Sequence, residues 1–258
     1  MAILLDTGNV RDIERFMKMG VIRGVTTNPT ILLKEGVTGG MKGVRQRSME
    51  IAEMIAPYPL SVEVTTNDPP LMLEQAKELA GWATNINVKI TIHGPFGELD
   101  NLQVVHELEE YHDIRINVTA MMSAQQCLLA AMSGATYVSL FGGRVNNMGY
   151  NTCEEIRKAR KAIETFELKS SIIMGSTREV LNTIEWLDAG AHFVTIAPKL
   201  LEGMIVHPYT KETVQMFLND AAKSEAMGSE QTTDSRYNAL EEMTVLHKPG
   251  VQKPVASI

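Results

Sequence analysis

The residue best placed to do chemistry in this chain is a lysine in the middle of an apolar strand. Lys89 sits in Ile86-Asn87-Val88-Lys89-Ile90-Thr91-Ile92. There Ile86, Val88, Ile90 and Ile92 share one face, and Asn87, Lys89 and Thr91 share the other. Two further segments alternate in the same way. Leu60, Val62 and Val64 oppose Ser61, Glu63 and Thr65, while Ile114, Ile116 and Val118 oppose Arg115, Asn117 and Thr119. A lone strand lysine is ordinarily solvated. Three segments with matching polar faces instead gather a lysine, a glutamate, an asparagine and a threonine around one interior, and Asp6 and Asn28, near the ends of two earlier strands, can join them. Burying charge without a partner is costly, so such groups must serve one another or a ligand. A desolvated lysine tends toward a neutral, nucleophilic amine. Asp6 and Glu63 are then candidates for proton transfer through a water.

A second constellation suits an anion. Ser139 and Arg144 close one strand in Ser139-Leu140-Phe141-Gly142-Gly143-Arg144, and Ser176 and Arg178 close the next in Met174-Gly175-Ser176-Thr177-Arg178. Paired arginines and hydroxyls beside small residues fit a phosphate or a similar tetrahedral group. The six histidines (His93, His106, His112, His192, His207 and His247) have no metal-ligand spacing. His93 reads as a loop residue that could border the site, Lys34 as a surface residue, and Trp82 and Trp186 as helix packing.

The elements that must position these residues follow a parallel α/β rhythm. Strand patterns occupy residues 3–7, 24–28, 60–65, 87–92, 114–119, 137–141, 171–176 and 193–197. Helical periodicity fills residues 11–19, 43–55, 70–83, 102–111, 124–133, 154–166 and 178–189, with Gly20, Gly134 and Gly190 at C-cap positions. Eight strand–helix units without a linker predict a closed (β/α)8 TIM barrel in a single domain, residues 1–222. A doubly wound open sheet has the same composition. In a barrel the outward strand faces pack on helices, and polar inward residues gather near the carboxyl ends. Residues 223–258 turn polar and lose periodicity except for a short amphipathic stretch at 237–246. They read as a C-terminal helical or irregular tail, either loosely docked or serving as an intersubunit arm.

Composition narrows the class. The length of 258 residues, 44% of them hydrophobic, suffices for one large core, and the 16 methionines read mostly as core filler in apolar stripes. A net charge of −7 argues against nucleic acid, which calls for a basic face. Any anionic substrate must be held by a few placed cations. Cys127 and Cys153 fall in helical stretches and read as reduced thiols of a cytoplasmic protein. Asp6 comes too early for a signal peptide, and no apolar run is long enough for a membrane span.

The chain resembles the transaldolases, in particular the small subfamily that includes fructose-6-phosphate aldolases. The resemblance covers residues 3 to about 219. It is carried by Asp6-Thr7-Gly8-Asn9, Gly24-Val25-Thr26-Thr27-Asn28-Pro29-Thr30, Val62-Glu63-Val64, Val88-Lys89-Ile90, Asn117-Val118-Thr119 and Gly134-Ala135-Thr136-Tyr137-Val138-Ser139. The Thr-Thr-Asn-Pro turn with a correctly ordered lysine strand downstream is the specific part. What it implies is Schiff-base attack by Lys89 on the C2 carbonyl of a ketose, with a dihydroxyacetone unit kept as an enamine and no metal or organic cofactor required. Asp6 would take the C4 hydroxyl proton, and Glu63 with Thr119 and a shared water would relay protons. Thr27, Asn28, Asn117, Ser139 and Phe141 would border the bound unit, and Arg144, Ser176 and Arg178 the distal anion.

A transaldolase would pass the enamine to an aldose phosphate in carbohydrate metabolism of the pentose phosphate type, whereas an aldolase would release dihydroxyacetone. Aldolase members carry Gln where Glu63 stands and Tyr where Phe141 stands, which favours the transferase. A non-catalytic sugar-phosphate-binding barrel is a third reading, opposed by the intact set of Asp6, Glu63, Lys89 and Thr119. The segment Ile90-Thr91-Ile92-His93-Gly94-Pro95-Phe96-Gly97 is longer than the family's usual form, and Leu140 and Gly142 replace a usual proline and valine. Because the family includes transaldolases of sulfosugar breakdown, the expected donor is fructose 6-phosphate or 6-deoxy-6-sulfofructose. The resemblance also implies a homo-oligomer, a pentamer or decamer.

Overall fold

The structure, a computed structural model, describes the backbone of residues 2–245 and the side chains of residues 2–227. Its strands are β1 (Ala2–Asp6), β2 (Val25–Thr26), β3 (Leu60–Glu63), β4 (Ile86–Thr91), β5 (Ile116–Met121), β6 (Tyr137–Phe141), β7 (Ser171–Gly175) and β8 (Phe193–Ile196). They pair parallel in chain order, and β8 returns to β1, closing the barrel. The alternation in the sequence explains the layering. Val62, Val88, Ile90, Ile116, Val118, Val138 and Leu140 are fully buried outside the barrel wall in one hydrophobic core with the surrounding helices. The opposite parity turns inward and is polar: Thr26, Ser61, Asn87, Lys89, Asn117, Thr119, Ser139 and Thr195 are all buried.

The helices are α1 (Val10–Lys18), α2 (Pro29–Lys34), α3 (Gly40–Ile55), α4 (Pro69–Ala80), α5 (Asn101–His112), α6 (Ala124–Met132), α7 (Gly142–Asn147), α8 (Thr152–Thr165), α9 (Val180–Asp188), α10 (Pro198–Ile205) and α11 (Pro208–Val245). Five of them start on a side-chain cap, at Asn9, Asn28, Asp68, Ser123 and Asn151, each accepting a hydrogen bond from a first-turn amide. Gly20, Gly134 and Gly190 adopt positive φ after their helices, as their positions in the sequence predict.

Several expectations need correction. Three short helices, α2, α7 and α10, stand where the periodicity gave none. Helix α2 opens on Asn28 and Pro29, a cap and N1 pair that ends β2 after Thr26. The fifth strand begins at Ile116, not Ile114, because Asp113 in a left-handed conformation caps α5 and Arg115 stays exposed, donating to the Thr84 carbonyl. That strand also runs on to Met121 through a register shift after Val118. Helix α4 stops at Ala80, so Trp82 is buried just beyond it, while Arg178 precedes α9.

The chain forms two compact units, Met1–Met204 and Ile205–Ile258, and the closed barrel belongs to the first. In the second, α11 runs unbroken through Lys223, where the sequence turns polar. The side chains of the 237–246 stretch and everything from residue 246 lie outside the described residues. Among the described residues, no helix is long and apolar enough to cross a membrane. Cys127 on α6 and Cys153 on α8 are free, and burial pushes the Cys127 thiol up to about 12.

Candidate active site

Strand register brings the candidate residues together. Glu63 on β3 pairs with Lys89 on β4, which pairs with Asn117 on β5, and Asp6 on β1 pairs with Thr26 on β2. Asp6, Thr26 and Glu63 close their strands and Lys89 lies two residues from the end of β4, at the end of a barrel where the βα loops build a site, while Asn117, the second residue of β5, lies deeper. A cavity of about 650 Å3 opens there. Asp6, Asn28, Glu63, Lys89, Asn117, Thr119, Phe141, Arg144, Ser176 and Arg178 all line it, which accounts for ten of the twelve residues singled out in the sequence. The other two stand just behind the wall. Ser139 donates to Asn117 Oδ1 at 2.7 Å, and Thr27 offers its carbonyl to Lys89.

Lys89 is 5% exposed. Its Nζ donates to the Thr27 carbonyl at 3.0 Å and lies 3.2 Å from Glu63 Oε2. Thr27 is fixed in turn by its own hydroxyl, which donates to the Ser61 carbonyl at 2.9 Å. The lysine head is thus held by a strand end and one carboxylate, not left to sweep the cavity. Asn117 spends one amide proton on Ser61 Oγ (3.1 Å) and accepts from Ser139, which locks its plane across the barrel floor. Asn28 uses its oxygen to cap α2 at Ile31 N (2.9 Å), so its amide nitrogen is the end left for a ligand.

Burial raises the Asp6 carboxyl above its ordinary range. The Lys89 charge and a 2.6 Å hydrogen bond from Thr26 Oγ1 oppose that rise, and the Glu63 charge adds to it. Thr26 Oγ1 also lies 2.5 Å from Thr195 Oγ1 on β8. Sequence reading missed Thr195, although Phe193-Val194-Thr195-Ile196 alternates like the other strands and signals its inward direction. It also set Lys34 aside as a surface residue; Lys34 is exposed, yet it lines the same cavity. Thr119 Oγ1 is buried and makes no hydrogen bond among the described residues.

Among the described residues, four non-glycine positions have positive φ. Asp113 and Glu167 sit at the C-terminal ends of helices, a usual place for that conformation. The other two, Ala120 (φ 60°) and Ser176 (φ 58°), both line the cavity. Such strain persists only where the surroundings enforce it. At the distal side, β6 runs straight into α7, which carries Arg144 over the Phe141 ring at 5.9 Å. Gly143 lets this turn approach β7: a Cβ there would lie 1.9 Å from the Ser176 carbonyl oxygen. Close approach of the two strand ends is what sets Arg144 beside Ser176 and Arg178. His93 borders a separate cavity of about 340 Å3 that shares Glu63 with the main one. Among the described residues, no group of three or more His, Cys, Asp or Glu side chains could hold a metal ion.

The arrangement is a buried amine with two carboxylates near it, hydroxyl and amide groups around it, and guanidinium groups farther out that form no ion pair among the described residues. Comparison with known proteins identifies the family of this chain. A model of the transaldolase/fructose-6-phosphate aldolase family matches residues 3–253. A probable transaldolase of Dehalococcoides mccartyi is 34% identical over 220 residues, 85% of this chain and 97% of that protein. A probable transaldolase 2 of Listeria monocytogenes is 37% identical, over 85% of this chain and 95% of that protein. Among solved structures, a thiamine phosphate pyrophosphorylase from Pyrococcus furiosus superposes with a TM-score of 0.53 at 12% identity, covering 76% of this chain and 85% of that one. At that identity the likeness speaks for the barrel fold alone.

Proposed function

We propose, for a chain that belongs to the transaldolase/fructose-6-phosphate aldolase family, a transaldolase reaction run from Lys89. The enzyme transfers a dihydroxyacetone unit from a 6-anionic ketohexose, fructose 6-phosphate or 6-deoxy-6-sulfofructose, to an aldose phosphate. The single observation that carries the assignment of roles is the buried amine of Lys89 within 3.2 Å of Glu63, in the same cavity as Asp6.

The neutral amine attacks the C2 carbonyl, and loss of water from the carbinolamine gives an iminium. Glu63, adjacent to the amine, delivers and removes the protons of that step through a water. The buried Thr119 hydroxyl supports this role, since leaving it unpaired costs about 1–3 kcal/mol and a bound water relieves that cost. Asp6 then accepts the C4 hydroxyl proton as the C3–C4 bond breaks, and the bond's electrons pass into the iminium to form an enamine. The aldehyde fragment leaves. The enamine adds to the acceptor aldehyde, Asp6 returns its proton to the new hydroxyl, and water frees the product from Lys89. Thr27 steadies the amine, Asn28, Asn117 and Phe141 border the dihydroxyacetone unit, Ser139 orients Asn117 from behind the wall, and Arg144, Ser176 and Arg178 hold the distal anion. The working environment is the cytoplasm. The tail at residues 223–258 serves as an intersubunit arm of a homo-oligomer, supported by the exposure of Tyr209, Val214, Phe217 and Leu218 on the helix that leads into it.

The test supplies fructose 6-phosphate with and without an aldose phosphate and follows the aldehyde released. Turnover that depends on the acceptor is expected. Equal turnover without it, with free dihydroxyacetone accumulating, would contradict the transferase reading.

A further inference from the structure

The sequence offers Arg144 and Arg178 as anion ligands, but the cavity contains a third cation. Thr30, Ile31 and Lys34 line it from α2, and their three- and four-residue spacing puts them on one face of that helix. The helix is fastened at both ends. Asn28 caps its start, and beyond its end Glu35 accepts from Thr7 Oγ1 and from Gly8 N, each at 2.6 Å. The Gly8 carbonyl in turn accepts from Arg47 Nη1 at 2.7 Å. Lys34 is therefore carried on a fixed platform. It makes no ion pair or side-chain hydrogen bond among the described residues.

Charge in the cavity is unevenly matched. Lys89 has Glu63 as its partner at 3.2 Å and also acts electrostatically on Asp6. Lys34, Arg144 and Arg178 face no carboxylate partner among the described residues, in a chain whose net charge is −7. Three uncompensated cations exceed what a single negative charge requires. A sugar phosphate carries close to two charges at neutral pH, its second ionisation lying near pKa ~6. A sulfonate carries one at any working pH.

We propose that Lys34 completes a three-cation clamp with Arg144 and Arg178 that selects a dianionic phosphate ester over a monoanionic sulfonate at the far end of the substrate. This inference rests on the transaldolase reading above and decides between its two donors. The lysine acts by binding and takes no part in the bond changes at Lys89. Its contribution is present in the ground state and the transition state alike, so it belongs in KM and not in kcat.

The test measures kcat and KM of the full-length wild type, Lys34→Gln and Lys34→Arg with fructose 6-phosphate and with 6-deoxy-6-sulfofructose, alongside borohydride trapping on Lys89. The expected result is a wild type that prefers the phosphate. Lys34→Gln raises its KM by about 10-fold and that of the sulfonate by about 3-fold or less, with kcat little changed, and Lys34→Arg restores most of the loss. The wild-type KM for the phosphate also rises as pH falls below about 6, and this slope flattens in Lys34→Gln. Equal losses on both donors, an unchanged KM, or an effect confined to kcat would overturn the clamp while leaving an adduct on Lys89 intact. Failure to trap any adduct on wild-type Lys89 would instead overturn the mechanism on which it rests.

Discussion

Thr26→Val isolates the control of Asp6. The Thr26 hydroxyl donates to Asp6 Oδ1 at 2.6 Å, and among the influences on that carboxyl it favours the charged form. A hydrogen bond to a charged group contributes about 1.5–3 kcal/mol, and 1.36 kcal/mol corresponds to one pKa unit. Valine keeps the shape and removes the donor, so the carboxylate loses stabilisation and its proton is held more tightly. As a base toward the C4 hydroxyl, Asp6 must be ionised. The acid limb of kcat/KM is therefore expected to move up by about one pH unit or more. Thr195 also loses its partner at 2.5 Å, which adds a stability cost of about 1 kcal/mol. Thr26→Ser retains the hydroxyl and should restore the wild-type limb. The assay is a kcat/KM profile from pH 4.5 to pH 9 (about the range the fold should tolerate). An acid limb that stays put or moves down in Thr26→Val would refute the assignment of Asp6 as the base.

Three further outcomes follow from the geometry. Asp6→Asn should raise thermal stability at neutral pH. Burial lifts the folded-state carboxyl above its ordinary value near ~3.9, so the stability Asp6 contributes is present below that value and lost as pH rises through the folded-state one. Melting curves of both proteins should converge toward acid pH, and a gain that persists there would contradict the sign. Gly143→Ala should cost about 1–3 kcal/mol in urea unfolding and raise KM, because the new methyl meets the Ser176 carbonyl at 1.9 Å; unchanged values would show that the two strand ends are free to part. Glu109→Leu should lose about 1.5–3 kcal/mol of stability with kcat/KM preserved. Its carboxylate accepts from Ile116 N and Thr136 N, both at 2.6 Å through the same oxygen, and from the Thr136 hydroxyl through the other, and leucine accepts none of these. A loss of activity at undiminished stability would contradict this structural role.

The barrel was legible because strand parity must match burial on both sides of its wall. That rule alone picks out Ser61, Glu63, Asn87, Lys89, Asn117 and Thr119 as inward. The same rule would have found Thr195 had it been applied to the last strand, where a single polar residue is an easily passed signal. What periodicity could not supply were the short helices. Helix α2 has six residues and α7 has six, less than two turns each, too few for an apolar stripe to repeat. Arg144 thus read as the close of a strand and not as part of a helix, and Lys34 as a surface residue. The register shift in β5 and the left-handed Ala120 and Ser176 depend on how neighbouring strands meet, which no local pattern in one segment encodes. The helical course of residues 208–245 was hidden for the opposite reason: the stretch near Ser224 to Asp234 is polar all round and offers no face to read.

The central claim is that Lys89 bonds covalently to the ketose. Incubating the protein with fructose 6-phosphate and borohydride, then mapping the modified peptide by mass spectrometry, tests it most directly. The account predicts a reduced dihydroxyacetone adduct on Lys89, abolished in Lys89→Met and formed normally in Thr26→Ser. An adduct on Lys34 or another lysine, or one that survives in Lys89→Met, would contradict it.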